Sequence, residues 1–127
     1  MAAHAAVSQT AQPAKHHTAF QMSEPEAEWA PLIAHVTNLM TAFEKDGGVE
    51  VEVVFFGDGI NMLRRTNATF GESLKRLADR GVVMAACQNS MRARNIKSED
   101  LMPFAVQVDS GVAELTRKQE AGWAYIK

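Results

Sequence analysis

The sequence predicts an α/β domain built on a parallel β-sheet with helices on both faces. Apolar, strand-like runs alternate with helical stretches five times along the chain. Two of those runs, VVFFG at 53–57 and VVMAAC at 82–87, are continuously apolar, as strands covered on both faces are. The stretches between runs are long enough for the helical crossovers that parallel neighbours require.

Residues 1–15, MAAHAAVSQTAQPAK, are small and polar, and a disordered tail is expected there. They lack the apolar centre of a signal peptide. Ala3-His4-Ala5 ahead of a polar, proline-containing stretch nevertheless resembles the end of one. Two compartments therefore stay open: the cytoplasm for the chain as written, and the periplasm if a leader was trimmed and replaced by Met1. A single domain is expected over 16–127.

HHTAFQM at 16–22 reads as the first strand, with Phe20 and Met22 alternating with polar neighbours. Ser23 and Glu26 have the spacing of a capping box for a helix whose first regular turn begins near Glu28, which leaves Pro31 tolerable. Leu32, Val36, Leu39 and Phe43 trace its apolar stripe, and Asp46-Gly47-Gly48 ends it. VEVEVVFFG at 49–57 is the second strand, and Gly57-Asp58-Gly59 turns the chain into a short helical segment from Ile60 to Arg65. Thr69 or Gly71 opens a helix carrying Leu74, Leu77 and Ala78, closed by Gly81. After the strand at 82–87, Gln88-Asn89-Ser90 supplies capping residues for a short polar segment from Met91 to Asn95. FAVQV at 104–108 is the fourth strand. Asp109 or Ser110 caps a helix bearing Val112, Leu115 and Gln119, and WAYIK ends the chain as a fifth strand.

Composition narrows the functional classes. At 127 residues, with 46% hydrophobic and 22% charged residues, the chain has the size and balance of one globular domain. A net charge of −2 offers no general attraction for nucleic acid or acidic membranes. No apolar run approaches the ~20 residues needed to cross a bilayer. One cysteine excludes an internal disulfide framework and a multi-thiolate zinc site. His4, His16 and His17 lie in or beside the tail, and His35 sits one residue off its helix's stripe, at the expected edge of the core. None has ligand partners at a convincing spacing, so no metal and no cofactor is expected. Ser90 and Ser110 lack a neighbouring histidine or a nucleophile elbow. Trp123 and Tyr125, with Phe55 and Phe56, read as sheet core or a subunit contact.

In parallel sheets the loops at the carboxyl ends of the strands form the ligand crevice. Two such loops bear chemistry, Gly57-Asp58-Gly59-Ile60-Asn61 and Cys87-Gln88-Asn89-Ser90-Met91-Arg92-Ala93-Arg94. Cys87 precedes a helix start, where free N–H groups favour an anion, and Arg92 and Arg94 follow within two turns. A lone cysteine ending a buried strand is also, as a rule, a small packing residue, and on the residues alone both readings stand. The glycine pair at 57 and 59 suits an anion-binding nest or a plain turn.

Three segments, in order, resemble the DsrE/DsrF-like family: VVFFGDGI at 53–60, MAACQNSMRARNI at 84–96 and SGVAELTRKQEAGWAYI at 110–126. The likeness runs from about His16 to Lys127 and is greater to stand-alone members than to subunits of sulfur-relay complexes. It implies a three-layer α/β/α sandwich on a five-stranded parallel sheet. It also implies a homo-oligomer, trimer or hexamer, and a role in sulfur relay with a persulfide carried on Cys87. On that reading the protein is a carrier more than a turnover enzyme, serving a donor or acceptor protein. Asn89 and Ser90 would offer hydrogen bonds, Arg92 and Arg94 positive charge, and Gly57 and Gly59 room for a partner's loop, with Asp58 and Asn61 beside them. The alternatives are a non-catalytic homo-oligomeric module binding a small ligand, and a thiol redox sensor.

Overall fold

A computed structural model describes residues 13–127. Most of the stretch expected as a tail lies outside them, but order begins before His16: the Lys15 amide donates to the Gly47 carbonyl at 3.0 Å. Five strands form one parallel sheet: β1 (His16–Met22), β2 (Val49–Phe55), β3 (Val83–Cys87), β4 (Ala105–Val108) and β5 (Ala124–Ile126). Their spatial order is β4-β3-β2-β1-β5, so the chain winds outward to β4 and then returns to the far side of β1. The helices are α1 (Ala30–Phe43), α2 (Gly71–Asp79), α3 (Gln88–Ala93) and α4 (Gly111–Glu120), with 3₁₀ turns at Glu26–Glu28, Gly57–Leu63 and Ser98–Asp100.

The three layers are unequal. One sheet face presents Phe20, Met22, Val51, Val53, Phe55, Met84 and Ala86 to α1, α2 and the Gly57–Leu63 turn, and Leu32, Val36, Ile60, Leu63, Leu74 and Leu77 complete this main core. The other face has a small core of Ala19, Val54, Ala85 and Leu115, flanked by Phe56, Val108 and Trp123. Leu115 is the one large side chain of α4 that is fully buried. Burial of this kind stabilises by about 1.5–3 kcal/mol per large side chain, so α4 has a weak apolar hold on the sheet.

Local differences from the sequence reading have physical causes. No capping box forms at Ser23 and Glu26: Ser23 Oγ accepts from Gln21 Nε2 at 2.8 Å, the 3₁₀ turn is preceded by Pro25, and α1 begins at Ala30 with Pro31 in its first turn. Gly71 opens α2, and of the two caps foreseen for α4 it is Ser110 that serves, accepting from the Ala113 amide at 3.2 Å. Val112 is not part of the core but 61% exposed. Phe55 is core and Trp123 half-buried, whereas Tyr125 lies exposed on the edge strand β5. His35 is exposed rather than at the core's edge.

Candidate functional site: the Cys87 thiol between two loops

Strands β2 and β3 are adjacent and parallel, so the loops leaving their carboxyl ends meet. The 3₁₀ turn begins at Gly57 itself rather than at Ile60. It can do so because residue 59 is glycine: a Cβ there would lie 2.0 Å from the Met22 carbonyl oxygen. The room at Gly59 is therefore filled by the chain's own β1 end, not kept for a partner's loop.

The Cys87 side chain caps α3, its sulfur accepting from the Ser90 amide at 3.5 Å. Helix α3 thus starts at Gln88, directly after the strand, and Gln88-Asn89-Ser90 lies inside it. This places Ser90 under the loop, buried, where its Oγ accepts the Gly57 amide at 2.9 Å. With that lone pair occupied, the Ser90 hydroxyl is free to donate to the thiol sulfur. Burial pushes the Cys87 thiol upward, and is the largest single influence on it. The Ser90 hydroxyl and amide, with smaller contributions from the Gly111 and Asn89 amides, more than offset it and hold the thiol below its ordinary value. Cys87 is 4% exposed, so these donors act with little screening by water.

Gly111 is the residue sequence reasoning missed. It is the first residue of α4, and a Cβ at this position would sit 2.7 Å from Phe56 Cδ1. Glycine there lets the α4 N-terminus close over Phe56 at the end of β2, and its amide adds to the influences that favour the thiolate. The signal was available in principle, because β3 and β4 are neighbours and the loop after β4 must emerge beside Cys87.

The charged residues do not serve as expected. Arg94 pairs with Asp58 at 3.0 Å, linking the two loops across the site's rim. Arg92 bonds Asn89 Oδ1 instead of the thiol, and neither guanidinium is among the main groups that hold the Cys87 thiol below its ordinary value. Asn61 folds back on its own turn, donating to the Asp58 carbonyl at 3.2 Å and accepting from Arg64 Nε at 2.8 Å. The site thus brings together Cys87, Ser90, Gly57 and the Asn89 amide, with Asp58–Arg94 at its edge, and leaves Asn61 and Arg92 outside.

A separate cavity of about 330 Å³ opens at the carboxyl ends of β1 and β5, with Phe20, Met22 and Leu32 in its floor and Glu28, His35 and Lys127 among its rim. Cys87 does not line it. Among the described residues no group of three or more His, Cys, Asp or Glu could hold a metal ion, and no helix is long and apolar enough to cross a membrane.

The sequence model of the DsrE/DsrF-like family matches residues 11–127. The chain belongs to this family, which is linked in general to sulfur relay. Among solved structures it is similar to a protein of unknown function, MTH1491 from Methanobacterium thermoautotrophicum, at 34% identity over 88% of this chain and 98% of that one, with a TM-score of 0.82. It also matches the ychN protein from E. coli at 13% identity, over 87% of this chain and 97% of that one, with a TM-score of 0.66; that likeness shows the fold alone. No functionally curated protein matches the chain. The DsrE/DsrF-like fold accounts for the five parallel strands and the helices that flank them.

Proposed function

We propose that the protein is a sulfur carrier that takes up sulfur on Cys87 as a persulfide. The observation that carries this reading is the donor set around a buried thiol: the Ser90 hydroxyl and amide, aided by Gly111 and Asn89, favour the thiolate in spite of burial. A thiolate is the attacking form in sulfur exchange. Cys87 as thiolate attacks the outer sulfur of a donor persulfide. The donor's S–S bond breaks, a new S–S bond forms on Cys87, and the donor leaves as its thiolate. A second thiolate then takes the outer sulfur and releases Cys87 again. No net oxidant or reductant is consumed.

Low exposure of Cys87 suits a carried persulfide, which must be shielded from stray thiols until a partner docks. Assembly of copies into a homo-oligomer belongs to this reading, and the exposed Tyr125 and Ile126 on the edge strand β5 offer apolar side chains for such a contact. The cavity at β1 and β5 favours a second reading, a module binding a small ligand, and separates that ligand from the cysteine.

The rate of Cys87 alkylation against pH tests the carrier reading. A midpoint clearly below the ~8.5 of a free cysteine supports it. A midpoint at or above that value leaves Cys87 as packing and the reading fails.

A further inference from the structure

The place where the strand order reverses is not the place where Cys87 lies. Strands β4, β3, β2 and β1 follow one another across the sheet in reverse chain order, and β5 then adds on the far side of β1. In open parallel sheets a ligand crevice forms beyond the carboxyl ends of the strands at such a reversal. The cavity of about 330 Å³ stands there, where β1 and β5 end side by side. Its size falls at the lower end of small-molecule sites, roughly 300–1,000 Å³.

The lining has two parts. Phe20, Met22 and Leu32, all core residues, give an apolar floor. Around it stand the carboxylates of Glu24 and Glu28, the His35 imidazole and the Lys127 ammonium. Among the described residues, no ion pair engages Glu24, Glu28 or Lys127. Two carboxylates against one ammonium leave the rim negative.

The segment carrying these carboxylates is held in place. The buried Trp29 donates its indole N–H to the Glu24 carbonyl at 2.8 Å, and the Glu28 amide donates to the Pro25 carbonyl at 2.9 Å. On the β5 side, the Tyr125 hydroxyl donates to Gln21 Oε1, while Gln21 Nε2 donates to Ser23 Oγ at 2.8 Å. The mouth is thus shaped before a ligand arrives, which lowers the ordering cost of binding.

The floor suits an apolar body, and the rim suits a positive charge. That charge is organic, because among the described residues no group of three or more His, Cys, Asp or Glu could hold a metal ion. We propose that this cavity binds a small apolar amine, its ammonium set against Glu24 and Glu28 and its hydrocarbon part on Phe20, Met22 and Leu32. The proposal rests on the second reading above, a module for a small ligand, and gives it a ligand class. It needs nothing from Cys87, which does not line the cavity.

Three probes of similar shape, 2-phenylethylamine, 2-phenylethanol and phenylacetate, test it by amide NMR titration of the full chain at low salt. The amine moves the amides of Met22, Ser23, Glu24 and His35, saturates with a Kd of about 1 mM, and leaves Asn89 and Ser90 unmoved. The alcohol binds about threefold and the acid about tenfold more weakly, the worth of exposed charges at a rim. Glu24→Gln combined with Glu28→Gln removes the amine's advantage; both residues are exposed, so the variant folds. No saturable shift with any probe overturns the proposal together with the small-ligand reading. Equal binding of the three probes, or an amine advantage that survives in the double variant, overturns the proposal and leaves that reading standing. Shifts at the same amides on raising the protein concentration alone, with none from the amine, put a second copy in the cavity and overturn it as well.

Discussion

Replacing Glu52 by glutamine should change the pH dependence of stability. Burial, reinforced by Glu114 and opposed by Lys118, raises the Glu52 carboxyl from 4.5 to about 8. In the unfolded chain the carboxyl ionises near its ordinary value, so between these limits the folded state holds the extra proton. Stability is then fully present below about pH 4.5, declines as pH rises toward 8, and levels off above it. At ~1.4 kcal/mol per pH unit the full shift corresponds to about 5 kcal/mol. Rearrangement of Lys118, 28% exposed, and entry of water relieve part of this, leaving a loss of about 2–4 kcal/mol. Urea denaturation at pH 5, 7 and 9 reads it directly, because a slope of ~1–3 kcal/mol per M turns the loss into a midpoint change of about 1–3 M. Glu52→Gln lacks the ionisation and should hold a nearly constant midpoint over the same range. Parallel curves for the two proteins would refute the reasoning.

Ser90→Ala should raise the Cys87 thiol and, by leaving the half-buried Gly57 amide unpaired, cost about 1–2 kcal/mol in urea; a thiolate titration unchanged from the wild type would contradict the hydroxyl's part. Gly59→Ala should cost at least ~3 kcal/mol or prevent folding, since the added methyl meets Met22 backbone rather than a movable side chain, and a near-normal melting temperature would refute that packing. Breaking the exposed Asp58–Arg94 pair by Asp58→Asn should alter stability by less than about 1 kcal/mol in thermal melts; a larger loss would make the rim a structural clamp.

The fold was legible because its signals are local. Five apolar runs, the stripe of α1 and the glycine that ends α2 each follow from a few adjacent residues, and alternation of strand and helix fixes a parallel sheet. The site was legible only in part. That Cys87 ends a buried strand beside the β2 loop can be read from sequence, but the donors that favour its thiolate come from two helices, α3 and α4, and Gly111 is distant in the chain. Arg92 and Arg94 looked like the source of positive potential because they are near Cys87 in sequence, whereas their guanidinium groups reach Asn89 and Asp58. In the sequence, Glu50 and Glu52 read as the polar half of the alternation Val49-Glu50-Val51-Glu52-Val53. The place of Glu52 in the centre of a two-sided sheet buries it, and the signal lay in a glutamate on a strand whose neighbours are apolar on both faces. The Ser23–Glu26 spacing failed for a different reason: Pro25 between them holds an extended backbone, so the helix starts later.

The central claim, that Cys87 accepts sulfur, is tested most directly by intact mass. The folded protein is exposed to a small-molecule persulfide donor, freed of excess reagent and weighed, with Cys87→Ser alongside. A stable gain of one sulfur atom on the wild type, removed by a thiol reductant and absent from the serine variant, is the predicted result. No gain on the wild type, or an equal gain on both proteins, would contradict the account.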